Sequence, residues 1–133
     1  MKFLFFLRSY WKSLTVIAGI LYLSFAPPST FTGVPSFPNE DKLVHIFLYG
    51  CLANILIFDF RNYKKLLDNR FAFILYCIAL PILLGGMVEI LQPMYFAPRT
   101  AEWFDWFSDI TGTMLGWAFM SILKLTPQYK SKK

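Results

Sequence analysis

Residues 71–88 read FAFILYCIALPILLGGMV, with no charged side chain among them. Eighteen or so consecutive apolar residues suffice to carry an α-helix across the hydrocarbon core of a bilayer, so this run predicts a transmembrane span. Three shorter uncharged runs flank it, at Ser13–Ala26, Leu43–Phe58 and Ile110–Leu123. They reach bilayer length by recruiting interfacial residues such as Tyr10, Trp11, Trp103 and Trp106, as aromatic belts do. Pro27, Pro28, Pro35 and Pro38 punctuate the first connection, charged residues 61–70 form the second, and Pro93–Ala101 forms the third. The pattern predicts an all-α membrane protein with four transmembrane helices, at about 10–26, 42–59, 71–91 and 105–124. Together they make one domain over residues 1–133.

Composition points the same way. The chain is 56% hydrophobic and 20% aromatic but only 16% charged, against roughly 25% charged in an ordinary soluble domain. Two cysteines cannot make a disulfide scaffold, and both fall in apolar spans where packing is the default. Eleven of the thirteen Lys and Arg residues lie before the first span, between the second and third, or after the fourth. Only Lys42 and Arg99 lie opposite, with most of the acids. Because basic residues accumulate on the cytoplasmic side, both termini are expected in the cytoplasm. The net charge of +5 then reads as a topology signal and calls for no nucleic-acid partner. Residues 1–29 also have the outline of a cleavable signal peptide, but a second basic cluster at Arg8 and Lys12 and the lack of a small-x-small site favour retention.

Ionisable groups inside a membrane are costly and usually face a bundle interior or a cavity. Here they gather at one depth. Lys42, His45 and Tyr49 share a helical face at the outer end of the second span. Gly85, Glu89 and Gln92 do so at the outer end of the third, and Asp105, Asp109, Gly112 and Gly116 at the start of the fourth. Arg99 lies in the short connection between those two spans.

This ordered set resembles the VanZ-like family of bacterial membrane proteins. Asp41-Lys42-Leu43-Val44-His45 is similar to the family's D-K-x-x-H, Glu89-Ile90-Leu91-Gln92 to its E-x-x-Q, and Arg99 to the arginine that follows. Asp105, Gly112 and Gly116 fit its D-x-x-x-N-x-x-G-x-x-x-G, with Asp109 in place of the usual Asn. The likeness covers about residues 40–116, and the first span agrees in type only. It implies a four-span protein of the bacterial inner (cytoplasmic) membrane, whose founding member is associated with low-level teicoplanin resistance.

Three uses of the polar set are open. In the first, an outward-facing site binds the head group of a membrane lipid or lipid-linked cell-wall precursor. Arg99 grips phosphate or carboxylate, Lys42 adds a point charge, Tyr49 and Gln92 orient a sugar or amide, and Asp109 lines the site. In the second, the protein is an enzyme acting on such a head group, with His45 as general acid or base and Glu89 and Asp105 as its catalytic partners. In the third, the charges pair only to hold helix ends together. No cofactor is expected. Nor is a metal, since His45, Glu89, Asp105 and Asp109 show no local ligand spacing. Gly112 and Gly116 suit close helix packing, either within the chain or in a homo-oligomer.

Overall fold

The computed structural model describes residues 2–33, 37–62, 69–98 and 100–128. The described residues form four long helices and no strand. The first helix runs Lys2–Phe25, the second Glu40–Asn62, the third Arg70–Tyr95 and the fourth Trp103–Ile122. The first three are long and apolar enough to cross a membrane. The fourth has comparable length and carries Asp105 and Asp109 in its opening turns, and it is not among the helices apolar enough to cross.

Each helix is shaped by recognisable residues. The first starts well before the expected residue 10, and it bends at Tyr10, whose backbone is non-helical (φ −108°, ψ 17°). The segment before the bend is the one with the interfacial aromatics Phe5 and Phe6, both exposed. The third begins at Asn69, whose side chain caps the Ala72 N–H at 2.6 Å. It contains a π-helical turn at Leu75–Ala79 immediately before Pro81. Proline has no N–H to give the carbonyl four residues back, and a π-turn is one of the few ways a helix absorbs that loss without breaking. The same helix runs past Pro93 to Tyr95, beyond the residue-91 end expected from the sequence.

Neighbouring helices alternate in direction. Ser13 of the first meets Asp59 near the end of the second, and Phe60 of the second meets Phe73 near the start of the third. Glu89 of the third meets Glu102 just before the fourth. The second and fourth helices consequently run parallel, and their contact is the closest in the bundle. An added Cβ at Gly112 would strike the backbone of Ile46, and one at Gly116 would lie 2.6 Å from the Gly50 carbonyl oxygen. Gly112 and Gly116 are therefore buried against a small face of the second helix formed by Ile46, Gly50 and Ala53.

The apolar core joins Ile20, Leu52, Ile57, Phe60, Phe73, Cys77 and Met120. Cys51 and Cys77 are free thiols. Large apolar side chains such as Phe71, Leu83, Ile90, Phe104 and Ile122 point away from the protein, which is the outward surface a lipid solvent would cover. The packing leaves two polar ends. One carries Lys12, Ser13 and Asp59, and the other holds the residues considered next.

Candidate functional site

At the end defined by Lys42, Glu89 and Asp105, three helices and the approach to the fourth bring ionisable side chains into contact. The first turn of the second helix supplies Asp41 and Lys42. The Lys42 ammonium lies 2.8 Å from Asp41, 3.1 Å from Glu102 and 3.1 Å from Asp105. It is therefore engaged by three carboxylates, Asp105 among them, as the pairing use of the polar set expects. Asp41 and Glu102, not singled out as site residues in the sequence, belong to this cluster.

One turn deeper, His45 Nδ1 is 2.7 Å from Asp109 Oδ1. An ionised Asp109 can only accept, so with that carboxylate charged Nδ1 carries the hydrogen; Nε2 is turned the other way, 4.0 Å from Asp105 Oδ2. The chain makes room for this pair with Gly85, since an added Cβ there would run into the Asp109 carboxylate. Asp109 is only 1% exposed, and its Oδ2 has no hydrogen-bond partner among the described residues.

Glu89, also 1% exposed, accepts the Glu102 backbone N–H on Oε2 at 2.9 Å. Its Oε1 is buried without a partner among the described residues. Tyr49 stacks nearly parallel to the His45 ring at 6.3 Å, and its buried hydroxyl likewise has no partner there. Gln92 points elsewhere: its amide donates to the Ser24 carbonyl at 2.9 Å and ties the third helix to the end of the first. Arg99 lies outside the described residues.

Donor atoms of His45, Glu89 and Asp105 all lie within 4.8 Å of one another, so these three could hold a metal ion. Asp41, Glu102 and Asp105 form a second such group, but the Lys42 ammonium sits among them. The first grouping has no signature in local sequence because its three members come from three different helices. No known protein family, curated protein or solved structure matches the chain. The likeness to the VanZ-like family therefore rests on the motifs quoted above.

Two further features bear on the site's surroundings. Trp106 donates its indole N–H to the Ile82 carbonyl at 2.9 Å and lies over Gly86, bracing the third helix against the fourth. Asn54, in the second helix, has a buried Oδ1 with no partner among the described residues. The sequence also gave no warning of the pairing at the other polar end. There Asp59, 1% exposed, accepts from the Ser13 hydroxyl at 2.7 Å and its N–H at 3.3 Å, with Lys12 at 3.6 Å. A surface-open cavity between the third and fourth helices, lined by Phe73, Ile78, Met114 and Trp117 among others, also reaches Arg70 and Pro127 and lies away from the His45 cluster.

Proposed function

We propose that this is a four-span, VanZ-like protein of the bacterial inner membrane, with both termini in the cytoplasm and the His45 cluster at the outer face. There it binds the head group of an envelope lipid or lipid-linked cell-wall precursor, in a role linked to glycopeptide (teicoplanin) resistance. One observation carries the binding reading: Glu89 and Asp109 are buried, and each keeps a carboxylate oxygen with no partner among the described residues. At the other polar end Asp59 also leaves Oδ1 without a hydrogen bond, but the Lys12 ammonium lies 3.6 Å from it, whereas no Lys or Arg among the described residues pairs with Glu89 or Asp109. A buried acceptor left unmade costs about 1–3 kcal/mol, more when charged. Once the partly exposed Lys42 and Asp105 side chains above them part, these acceptors can take the amine, amide or hydroxyl donors of a head group. Lys42, held by three acids, orients those acids, and Arg99 is the candidate grip for an anionic group on the same ligand.

Native mass spectrometry of protein released gently from bacterial membranes tests this. Wild type should carry a defined lipid or lipid-linked species, and Glu89→Gln and Arg99→Ala should lose it while staying folded. The same unselective lipid in all three would refute head-group binding.

A second reading has its own support. An ionised Asp109 fixes the His45 tautomer and aims Nε2 toward Asp105, the arrangement in which an imidazole serves as general base. Turnover of a lipid-linked substrate that is lost in His45→Ala would favour an enzyme.

A further inference from the structure

We propose that His45, Glu89 and Asp105 form the seat of one divalent metal ion of the Zn²⁺ or Mn²⁺ class, with Asp109 as the residue that orients the histidine. Their donor atoms lie within 4.8 Å of one another. A tetrahedral metal bound at about 2.0–2.2 Å to nitrogen and oxygen donors holds them roughly 3.3–3.6 Å apart, so side-chain shifts of about 1 Å draw the three onto one ion. The 4.0 Å between His45 Nε2 and Asp105 Oδ2 is roughly half an ångström above that separation. It is too long for a hydrogen bond, so Nε2 has no hydrogen-bond partner among the described residues, and a metal binding there displaces any proton it carries.

Each ligand is presented in the form a metal needs. His45 Nδ1 is turned into Asp109 at 2.7 Å, the carboxylate–histidine arrangement that fixes ring orientation and raises the basicity of the other nitrogen. Asp105 gives Oδ1 to Lys42 and turns Oδ2 toward His45. Glu89 gives Oε2 to the Glu102 N–H and keeps Oε1 buried and unpartnered among the described residues. That last atom separates this group from an ordinary acidic patch, because a carboxylate 1% exposed is not hydrated in compensation.

Electrostatics favour the same occupant. Among the described residues, five carboxylates (Asp41, Glu89, Glu102, Asp105 and Asp109) gather around one lysine and one histidine. Three of them already share Lys42. A divalent ion between Glu89 and Asp105 offsets their mutual repulsion where screening by water is weak. The exposed grouping of Asp41, Glu102 and Asp105 cannot do the same, since the Lys42 ammonium fills its middle. A mixed nitrogen and carboxylate set suits Zn²⁺ or Mn²⁺ better than Ca²⁺ or Mg²⁺, which prefer all-oxygen shells. Three protein ligands leave a coordination position open, which a phosphate oxygen of a head group can take.

The seat deepens the head-group reading yet stands on ligand geometry alone, and the two fail separately. Metal held without a specific lipid sinks only the head-group reading, and lipid held without metal sinks only this one. The test is Zn²⁺ and Mn²⁺ titration of the full chain in nanodiscs after chelator treatment, read by competition with a chromophoric chelator. One equivalent should bind saturably to wild type. Asp109→Asn should weaken it roughly 10- to 100-fold, as loss of an outer-shell carboxylate does, and Glu89→Gln and His45→Ala should weaken it further. Co²⁺ loaded into wild type should show the visible absorption of a low-symmetry nitrogen and oxygen site, a readout that needs no variant to fold. No saturable binding to wild type, equal binding to Glu89→Gln, or a Co²⁺ spectrum of the hexaaqua ion would each overturn the proposal.

Discussion

His45 and Asp109 meet across the second and fourth helices at 2.7 Å, in a space that exists because residue 85 of the third helix is glycine. Three helices thus fix one imidazole. Asp109→Asn keeps an oxygen that can accept from Nδ1, so it should cost less than about 1 kcal/mol of stability, whereas Asp109→Ala strands His45 and should cost about 3–5 kcal/mol. Unfolding in mixed detergent and dodecyl sulfate micelles checks the ordering. An equal loss in both variants would show that charge, not hydrogen bonding, holds the pair.

Gly85→Ala places a methyl group against the Asp109 carboxylate. Its main effect should fall on the site, with lipid or metal retention lost and the helices still assembled. Circular dichroism alongside retention by native mass spectrometry separates the two, and unchanged retention would contradict the cradle assigned to Gly85.

The glycine seam between the second and fourth helices should show a graded response. A Cβ at Gly112 meets the backbone of Ile46, one at Gly116 lies 2.6 Å from the Gly50 oxygen, and one at Gly50 lies 3.3 Å from the Gly112 oxygen. Backbone cannot swing aside as a side chain can, so Gly112→Ala should cost most, at about 1–3 kcal/mol. Gly116→Ala should follow, and Gly50→Ala should be mildest. Unfolding midpoints in the same micelles give the order.

The apolar framework was legible from residues 71–88 outward because lipid demands length and apolarity, both visible in a linear string. The alternation of Lys42, His45 and Tyr49, and of Glu89 and Gln92, likewise revealed which faces carry charge. What each group touches was not legible. Gln92 reaches the Ser24 carbonyl and Lys42 reaches Glu102, and these contacts depend on crossing geometry between distant segments. The helix ends were also misjudged: Pro93 reads as a stop, yet the helix continues to Tyr95. The grouping of His45 with Glu89 and Asp105 was hidden for the same reason, since a ligand set drawn from three helices has no spacing to read.

Asp59 provides a control at the opposite end. Removing its carboxylate leaves the Ser13 hydroxyl and N–H without their buried acceptor. Asp59→Ala should cost about 3 kcal/mol and Ser13→Ala about 1 kcal/mol. Neither should alter lipid or metal retention by the His45 site.

The fourth helix is too polar in its first turns for its crossing to follow from apolarity, so its topology needs direct measurement. In a background with Cys51 and Cys77 replaced, single cysteines at Thr32 and Thr100 should react with a membrane-impermeant maleimide from the outer side, and one at Gln128 only after the membrane is opened. Labelling of Gln128 from outside would show that the fourth helix does not cross.

The decisive measurement is the unfolding free energy of Glu89→Gln against wild type, in ligand-free, chelator-treated protein. Glutamine can still accept the Glu102 N–H and relieves the unpartnered buried charge, so a site built for a ligand should be unchanged within about 1 kcal/mol or gain stability, while losing retention. A loss of about 3–5 kcal/mol would show that the Glu89 charge is paired for structure and would contradict a binding site there.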